Sequence, residues 1–198
     1  MSGVRLERIC VFCGSQTGHD PVYIEAARTT GRLLAHRGIG LVFGGGHVGM
    51  MGAVAEAALA AGGEAIGVIP QGLVRRELAY EGLTELIVTH TMHERKQRMA
   101  DLSDAFMALP GGFGTFEEFC EIITWAQLGL HQKPCGLLNV KGYYDPLLAM
   151  FDHAVREGFL RPALRGLVLM HGEAEGMLAA MGAWRPPALT KWLTPDAA

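Results

Sequence analysis

Lysine is scarce in this 198-residue chain, with four residues: Lys96, Lys133, Lys141 and Lys191. None sits in a setting that suggests a Schiff base, and no organic cofactor is expected. Basic and acidic residues number 17 and 20, a net charge of −3, so there is no excess of positive charge for a nucleic-acid backbone. No stretch approaches the ~18 apolar residues of a membrane span. The first apolar run, residues 9–13, is too short for the apolar region of a secretory leader. Charged residues make up only 19% against 49% apolar, which excludes a disordered chain. Cysteine is limited to Cys10, Cys13, Cys120 and Cys135. Cys10 and Cys13 have C-x-x-C spacing, but on an expected strand positions i and i+3 point to opposite faces and do not share a metal. A redox pair normally opens a helix. Buried free thiols are therefore expected, in a reducing cytoplasm. His90 and His93 have no third ligand at metal spacing, so no metal is expected.

A chain of this length forms one domain and buries roughly 70% of its unfolded surface without staples. Residues 7–13 read as a strand, followed by a loop of small and hydroxyl residues at 14–18. Asp20 caps a helix with Pro21 at its first position, and Gly38 stops it. A strand at 39–43 opens into Gly44-Gly45-Gly46-His47-Val48-Gly49-Met50-Met51-Gly52, and a helix over 53–61 closes at Gly62-Gly63. Strands at 65–69 and 85–89 flank an irregular stretch, and a polar helix follows at 90–102. Later strands are read at 104–109, 135–140 and 167–170, and later helices at 116–130, 143–156 and 173–181. From Trp184 the chain carries proline breaks and reads as a surface tail, leaving residues 1–182 as the domain and 183–198 as a C-terminal tail.

Strand–helix alternation of this kind gives a three-layer, Rossmann-like α/β fold: a doubly wound parallel sheet with helices on both faces. Right-handed crossovers bring every strand's carboxyl end to one edge, where ligands bind close to the reversal of strand order. The loops 14–18, 44–52 and 110–115 meet there. Ser15, Gly45, Gly46, Gly49 and Met50 are the candidate substrate contacts of the first two. Gly44 to Gly49 spells G-x-G-x-x-G, but the acid some 20 residues on, Glu64, opens a strand at the wrong end, so a mononucleotide or ribose fits better than a dinucleotide.

The organising stretch is Pro110-Gly111-Gly112-Phe113-Gly114-Thr115-Phe116-Glu117-Glu118, between a strand and a helix. Its glycines allow a ligand near the backbone, and a helix start favours an anion. Thr115 is expected to cap the helix or to bind a phosphate oxygen. Glu117 and Glu118 then fall in the first turn. There they either complement the helix dipole or stabilise a cationic sugar carbon beside a bound phosphate. Upstream, Arg95 and Arg98 share a helix face at i, i+3, with Lys96 pointing elsewhere.

These stretches, with Met92-His93-x-Arg95-Lys96, Ser103-Asp104-Ala105 and Thr124-Trp125-Ala126-Gln127-Leu128-Gly129, resemble the LOG ("lonely guy") family over about residues 8–180. Its members are cytokinin riboside 5′-monophosphate phosphoribohydrolases, often labelled lysine decarboxylases. The resemblance implies that Arg95 and Glu118 are the catalytic pair. It further implies nucleotide contacts from Lys96, Gly111, Gly112, Phe113, Gly114, Thr115, Phe116, Glu117, Thr124 and Glu77, although the wording around Glu77 departs from the family's. It implies a nucleoside 5′-monophosphate substrate and a homodimer with sites near the subunit interface, with neither membrane nor nucleic acid as partner. A broad AMP nucleosidase and a non-catalytic nucleotide or molybdenum-cofactor carrier are the alternatives. The carrier would not need a glutamate after the glycine turn.

Overall fold

In the computed structural model, residues 5–74, 80 and 82–187 are described. Seven strands alternate with helices: β1 (Arg8–Phe12), α1 (Pro21–His36), β2 (Gly40–Phe43), α2 (Gly49–Ala60), β3 (Ala65–Pro70), β4 (Glu85–Thr89), α3 (Met92–Asp101), β5 (Ala105–Ala108), α4 (Phe113–Leu128), β6 (Cys135–Leu138), α5 (Asp145–Arg156), α6 (Pro162–Arg165), β7 (Val168–His171) and α7 (Ala174–Gly182). The strands form one sheet in the order β4-β3-β2-β1-β5-β6-β7, and every pairing is parallel. The chain winds outward from β1 to β4, then returns to lay β5 on the other side of β1. The strand order reverses between β1 and β5, and the crevice of such a fold opens at their carboxyl ends.

Alternation along the buried strands feeds two apolar layers. Ile9, Val11 and Cys13 pack with residues of α1, α2 and α7, while Cys10 and Phe12 pack with residues of α3, α4 and α5. The two cysteines of the C-x-x-C spacing thus lie on opposite faces, and all four cysteines are free thiols. No group of three or more potential metal ligands occurs among the described residues, nor is any described helix long and apolar enough to cross a membrane.

Local signals act as expected in α1. The Asp20 carboxylate accepts from the Val22 N–H at 3.0 Å, Pro21 leads, and Gly38 leaves at a φ of 66°. Five expectations are corrected. Helix α2 begins at Gly49 rather than 53, so Gly49 to Gly52, expected in the loop, form its first turn. Helix α4 begins at Phe113 rather than 116, with Gly112 as its N-cap, so Thr115 is its third residue and not its cap. Glu117 and Glu118 accordingly fall in the second turn. Helix α5 starts at Asp145, after a 3₁₀ turn over Val140–Gly142 that holds Lys141 at a φ of 53°. Helix α6 lies in a stretch for which no element was expected. Trp184 is buried against Ala126, Leu164 and Leu167 rather than lying on the surface, where its large ring gains apolar cover.

Helices α1 and α2 approach so closely at Gly31 that a Cβ there would stand 2.2 Å from the Val54 carbonyl oxygen. Helix propensity favours alanine over glycine by about 1 kcal/mol, but the obstacle is backbone and does not yield. Gly31→Ala is therefore expected to destabilise by about 1–3 kcal/mol in chemical denaturation. His131 carries a second prediction. Its Nε2 lies 2.9 Å from the Ile122 carbonyl oxygen and its Nδ1 accepts from the Lys133 N–H, an arrangement that the neutral ring satisfies. Burial pushes its pKa from 6.5 down to about 4. The unfolded chain then binds the proton first, so stability is full above pH 6.5 and falls as the pH drops toward 4. Denaturation across this range should show that slope, and His131→Gln should flatten it.

Candidate active site

Helix α3 is polar, and its start is fixed by side chains. The Thr91 hydroxyl accepts from the Glu94 N–H at 3.1 Å, and the Glu94 carboxylate accepts from the His90 N–H at 2.8 Å, much as a capping box does. One turn in, Arg95 faces the sheet and is 6% exposed. Its guanidinium lies along the carboxyl ends of β3 and β2. Nε donates to the Val68 carbonyl at 2.9 Å, Nη2 donates to the Gly44 carbonyl at 3.3 Å, and Nη1 lies 3.3 Å from Glu118 Oε1. The Glu118 side chain is only 12% exposed. A buried guanidinium keeps its charge, so its N–H groups need acceptors, and this one has three. Arg98 does not share this face. It is exposed, and the buried companion of Arg95 is Met99, one turn on.

Gly44 makes the arrangement possible. A Cβ there would stand 2.2 Å from Arg95 Nη2. Lys96 points away from Arg95, as expected, and reaches α4. Its Nζ lies 2.6 Å from Glu117 Oε1 and 3.0 Å from both oxygens of Glu121. Burial draws the pKa of this ammonium down, but the hydrogen bonds to Glu117 and Glu121 outweigh it and leave the group above its usual value. Glu121 escaped the sequence reading. Its signal was its place one helical turn after Glu117.

The third component is the turn before α4. Gly111 is wedged, since a Cβ would stand 2.1 Å from Thr115 Oγ1 and 2.9 Å from the Gly14 nitrogen, whereas Gly112 and Gly114 have nothing within 4 Å of theirs. The start of α4 is therefore open from the outside and supported from behind. Helical geometry leaves its first N–H groups without intrahelical acceptors, and they suit an anion. Tyr144 donates to the Leu109 carbonyl at 2.6 Å, and the Tyr143 hydroxyl donates to the Gly111 carbonyl. Backbone bonds tie the three loops together. Gly14 N–H donates to the Pro110 carbonyl at 3.1 Å, and Met50 N–H donates to the Gly14 carbonyl at 3.0 Å.

The fold thus brings Arg95, Lys96, Glu117 and Glu118 together beside the Gly111–Gly114 turn. Thr115 is buried beneath it, Phe116 is half-buried against Tyr144, and Phe113 stands 92% exposed at the helix start. Ser15 is exposed on the loop that rests against Gly49, whose φ of 61° and 2.3 Å clearance to Ser15 leave no room for a side chain. Gly45, Gly46 and Met50 are buried, and the Gly45 carbonyl accepts from the Tyr80 N–H at 3.1 Å. Thr124 lies two turns beyond Glu117 on the exposed side of α4, its hydroxyl donating to the Cys120 carbonyl at 2.7 Å. Within one chain it is not part of the Arg95–Glu118 cluster. Glu77 lies outside the described residues.

This is an α/β protein with an open, glycine-rich helix start and a buried carboxylate–guanidinium pair at the carboxyl edge of its sheet. The turn can hold a phosphate while Glu118 faces a developing cation. Comparison with known proteins takes the identification further. A family model described as possible lysine decarboxylase matches residues 51–181. A probable cytokinin riboside 5′-monophosphate phosphoribohydrolase of Oryza sativa subsp. japonica is 51% identical over 92% of this chain and 74% of its own length. Proteins named cytokinin riboside 5′-monophosphate phosphoribohydrolase from Arabidopsis thaliana and Rhodococcoides fascians are 49% and 51% identical, over 92% and 87% of this chain and 84% and 88% of theirs. The chain belongs to this family, the LOG family. Among solved structures, the molybdenum cofactor binding protein from Rippkaea orientalis superposes with a TM-score of 0.67 at 25% identity, covering 88% of this chain and 94% of that one. The molybdenum cofactor carrier protein of Chlamydomonas reinhardtii gives 0.68 at 24% identity, over 89% and 96%, a likeness of fold alone.

The two kinds of glycine give opposite expectations in thermal denaturation. Gly44→Ala displaces a buried guanidinium from its acceptors and should cost about 2–4 kcal/mol. Gly114→Ala adds a methyl group in open space inside a helix and should leave stability unchanged or raise it by up to about 1 kcal/mol.

Proposed function

We propose that this protein hydrolyses the N-glycosidic bond of cytokinin riboside 5′-monophosphates, releasing the free base and ribose 5-phosphate. The observation that carries this is the buried Arg95–Glu118 pair at 3.3 Å beside an open helix start. It is supported by the roughly half-identical relatives that bear the phosphoribohydrolase name. Loss of the base leaves positive charge on the ribose ring. Glu118 stabilises that charge and orients the attacking water. Arg95 serves Glu118 rather than the phosphate, since its bonds to Val68, Gly44 and Glu118 occupy three of its nitrogens. The 5′-phosphate lies on the first N–H groups of α4, over Gly112 and Gly114, and Lys96 adds positive charge close by. Fixing the phosphate sets the distance from the anomeric carbon to Glu118.

The family model's description points to a decarboxylase, but the three described lysines give no support to Schiff-base chemistry. Lys96 is held by two carboxylates, Lys133 donates to the Ala100 carbonyl and Lys141 pairs with Asp20. A carrier role shares the fold, and the pairing of Glu118 with Arg95 favours the enzyme. We further propose that the enzyme acts as a homodimer. The exposed places of Phe113 and Thr124 on α4 support a site completed near the subunit boundary. The free thiols support a cytoplasmic setting. The catalytic domain spans residues 1–182, supported by one sheet serving both core layers, with 183–198 as a tail that packs onto the domain at Trp184.

Incubation with N6-isopentenyl-AMP should yield isopentenyladenine and ribose 5-phosphate, faster than AMP yields adenine. Intact nucleotide in both reactions, from folded protein, contradicts the assignment, and equal rates make the enzyme a general AMP nucleosidase. Glu118→Gln should lower turnover by about 10²–10⁴-fold while retaining nucleotide binding. Unchanged turnover would move the role to another carboxylate, with Glu117 first in line.

A further inference from the structure

Lys96 is shared unequally between two carboxylates. Glu117 offers one oxygen at 2.6 Å from a side chain that is 53% exposed, and Glu121 offers both oxygens at 3.0 Å from a side chain that is 26% exposed. The ammonium's own side chain is 10% exposed. Lys96, Glu118 and Glu121 line one small recess floored by Phe12 and Phe106 and walled by Ile122 and Trp125. The lysine therefore cannot withdraw inward. Its ammonium lies between Glu117 and Glu121, and Glu118 lines the same recess.

One ammonium against Glu117 and Glu121 leaves a net charge of −1 at the mouth of an anion site. A nucleotide phosphate entering there is repelled unless one carboxylate moves away. The candidate to move is the exposed, singly bonded Glu117. Glu121 has the position and the paired oxygens to hold Lys96 while Glu117 exchanges its partner. We propose that Glu121 is a positioning residue for the hydrolytic reaction: it anchors Lys96 so that the ammonium stays at the nucleotide when Glu117 releases it. Neither the glycine motif nor the resemblance includes this residue, and the inference rests on the phosphoribohydrolase reading above.

The charged groups that meet the Lys96 ammonium are Glu117 and Glu121 from α4; Glu118, paired with Arg95, lines the same recess, and β1 and β5 present Phe12 and Phe106. Removing the Glu121 charge therefore acts on Lys96 directly. The test measures steady-state kinetics on N6-isopentenyl-AMP from roughly pH 6 to 10 for wild type, Glu121→Gln and Glu121→Asp, with AMP affinity by titration calorimetry at about pH 9. Glu121→Gln should raise KM roughly tenfold, leave kcat within about threefold, and weaken AMP binding in proportion. The pH at which KM climbs on the alkaline side should drop by about one unit, since the lysine loses an anionic partner. Glu121→Asp, which keeps the charge on a shorter stem, should return that limb toward the wild-type position. Wild-type KM, AMP affinity and alkaline limb in Glu121→Gln overturn the proposal, as does a fall in kcat with KM intact. If Glu121→Gln does not fold, Glu121→Ala takes its place, with the same results expected and the same results overturning the proposal. Absence of turnover in wild type would sink the phosphoribohydrolase reading instead, and the AMP affinities would still judge Glu121.

Discussion

A guanidinium taken out of water must find acceptors for its N–H groups, and the site of this protein is built around that demand. Arg95 lies beneath the surface at the carboxyl ends of β2 and β3, bonded to two main-chain carbonyls and to Glu118. Gly44 lies just past the end of β2, and Val68 lies one residue beyond the last β2–β3 pair, Phe43 with Gly67, though it still pairs with β4. Gly44 leaves the space and Met99 supplies the apolar side of the same helix face. The arginine in turn defines where Glu118 stands, which is the property a catalytic carboxylate requires.

The glycines of this edge do different jobs, which their spacing alone does not reveal. Gly44 makes room for a side chain, Gly49 lets the Ser15 loop close on α2, and Gly111 lets the turn settle against Gly14 and Thr115. Gly112 and Gly114 lack neighbours and keep the helix start open. The loops after β1, β2 and β5 are then joined by main-chain bonds through Gly14. These main-chain bonds hold the three loops in place relative to one another. The same fold occurs in proteins named as a molybdenum cofactor binding protein and a molybdenum cofactor carrier, so the distinguishing chemistry lies in the side chains set upon it.

Much of this was legible in the sequence because the signals were periodic. Buried strands bounded by glycine or proline, and helices between them, gave the parallel sheet and the edge on which three loops meet. Asp20-Pro21 marked a helix start as physical chemistry requires. The start of α4 was misplaced by three residues because Gly112-Phe113-Gly114 has the composition of a loop, and glycine conceals a helix that tertiary contacts stabilise. That error put Thr115 in the cap and both glutamates in the first turn. The burial of Arg95 was invisible for a related reason: a run of charges on a polar helix reads as a solvated face, so Arg98 looked equivalent to Arg95. Only the residue without a Cβ at position 44, far away in the chain, betrays that one of them turns inward. Glu121 was missed because its partner, Lys96, comes from another helix, and pairings between helices leave no periodic trace.

The central claim is that the start of α4 holds the 5′-phosphate and thereby presents the sugar to Glu118. A crystal structure of the protein soaked with ribose 5-phosphate tests it most directly. The account predicts the phosphate on the backbone of the Gly111–Thr115 turn, with the anomeric carbon facing the Glu118 carboxylate and Arg95 still bonded to that carboxylate. Ribose 5-phosphate bound away from this turn, or bound with its anomeric carbon directed away from Glu118, would contradict it.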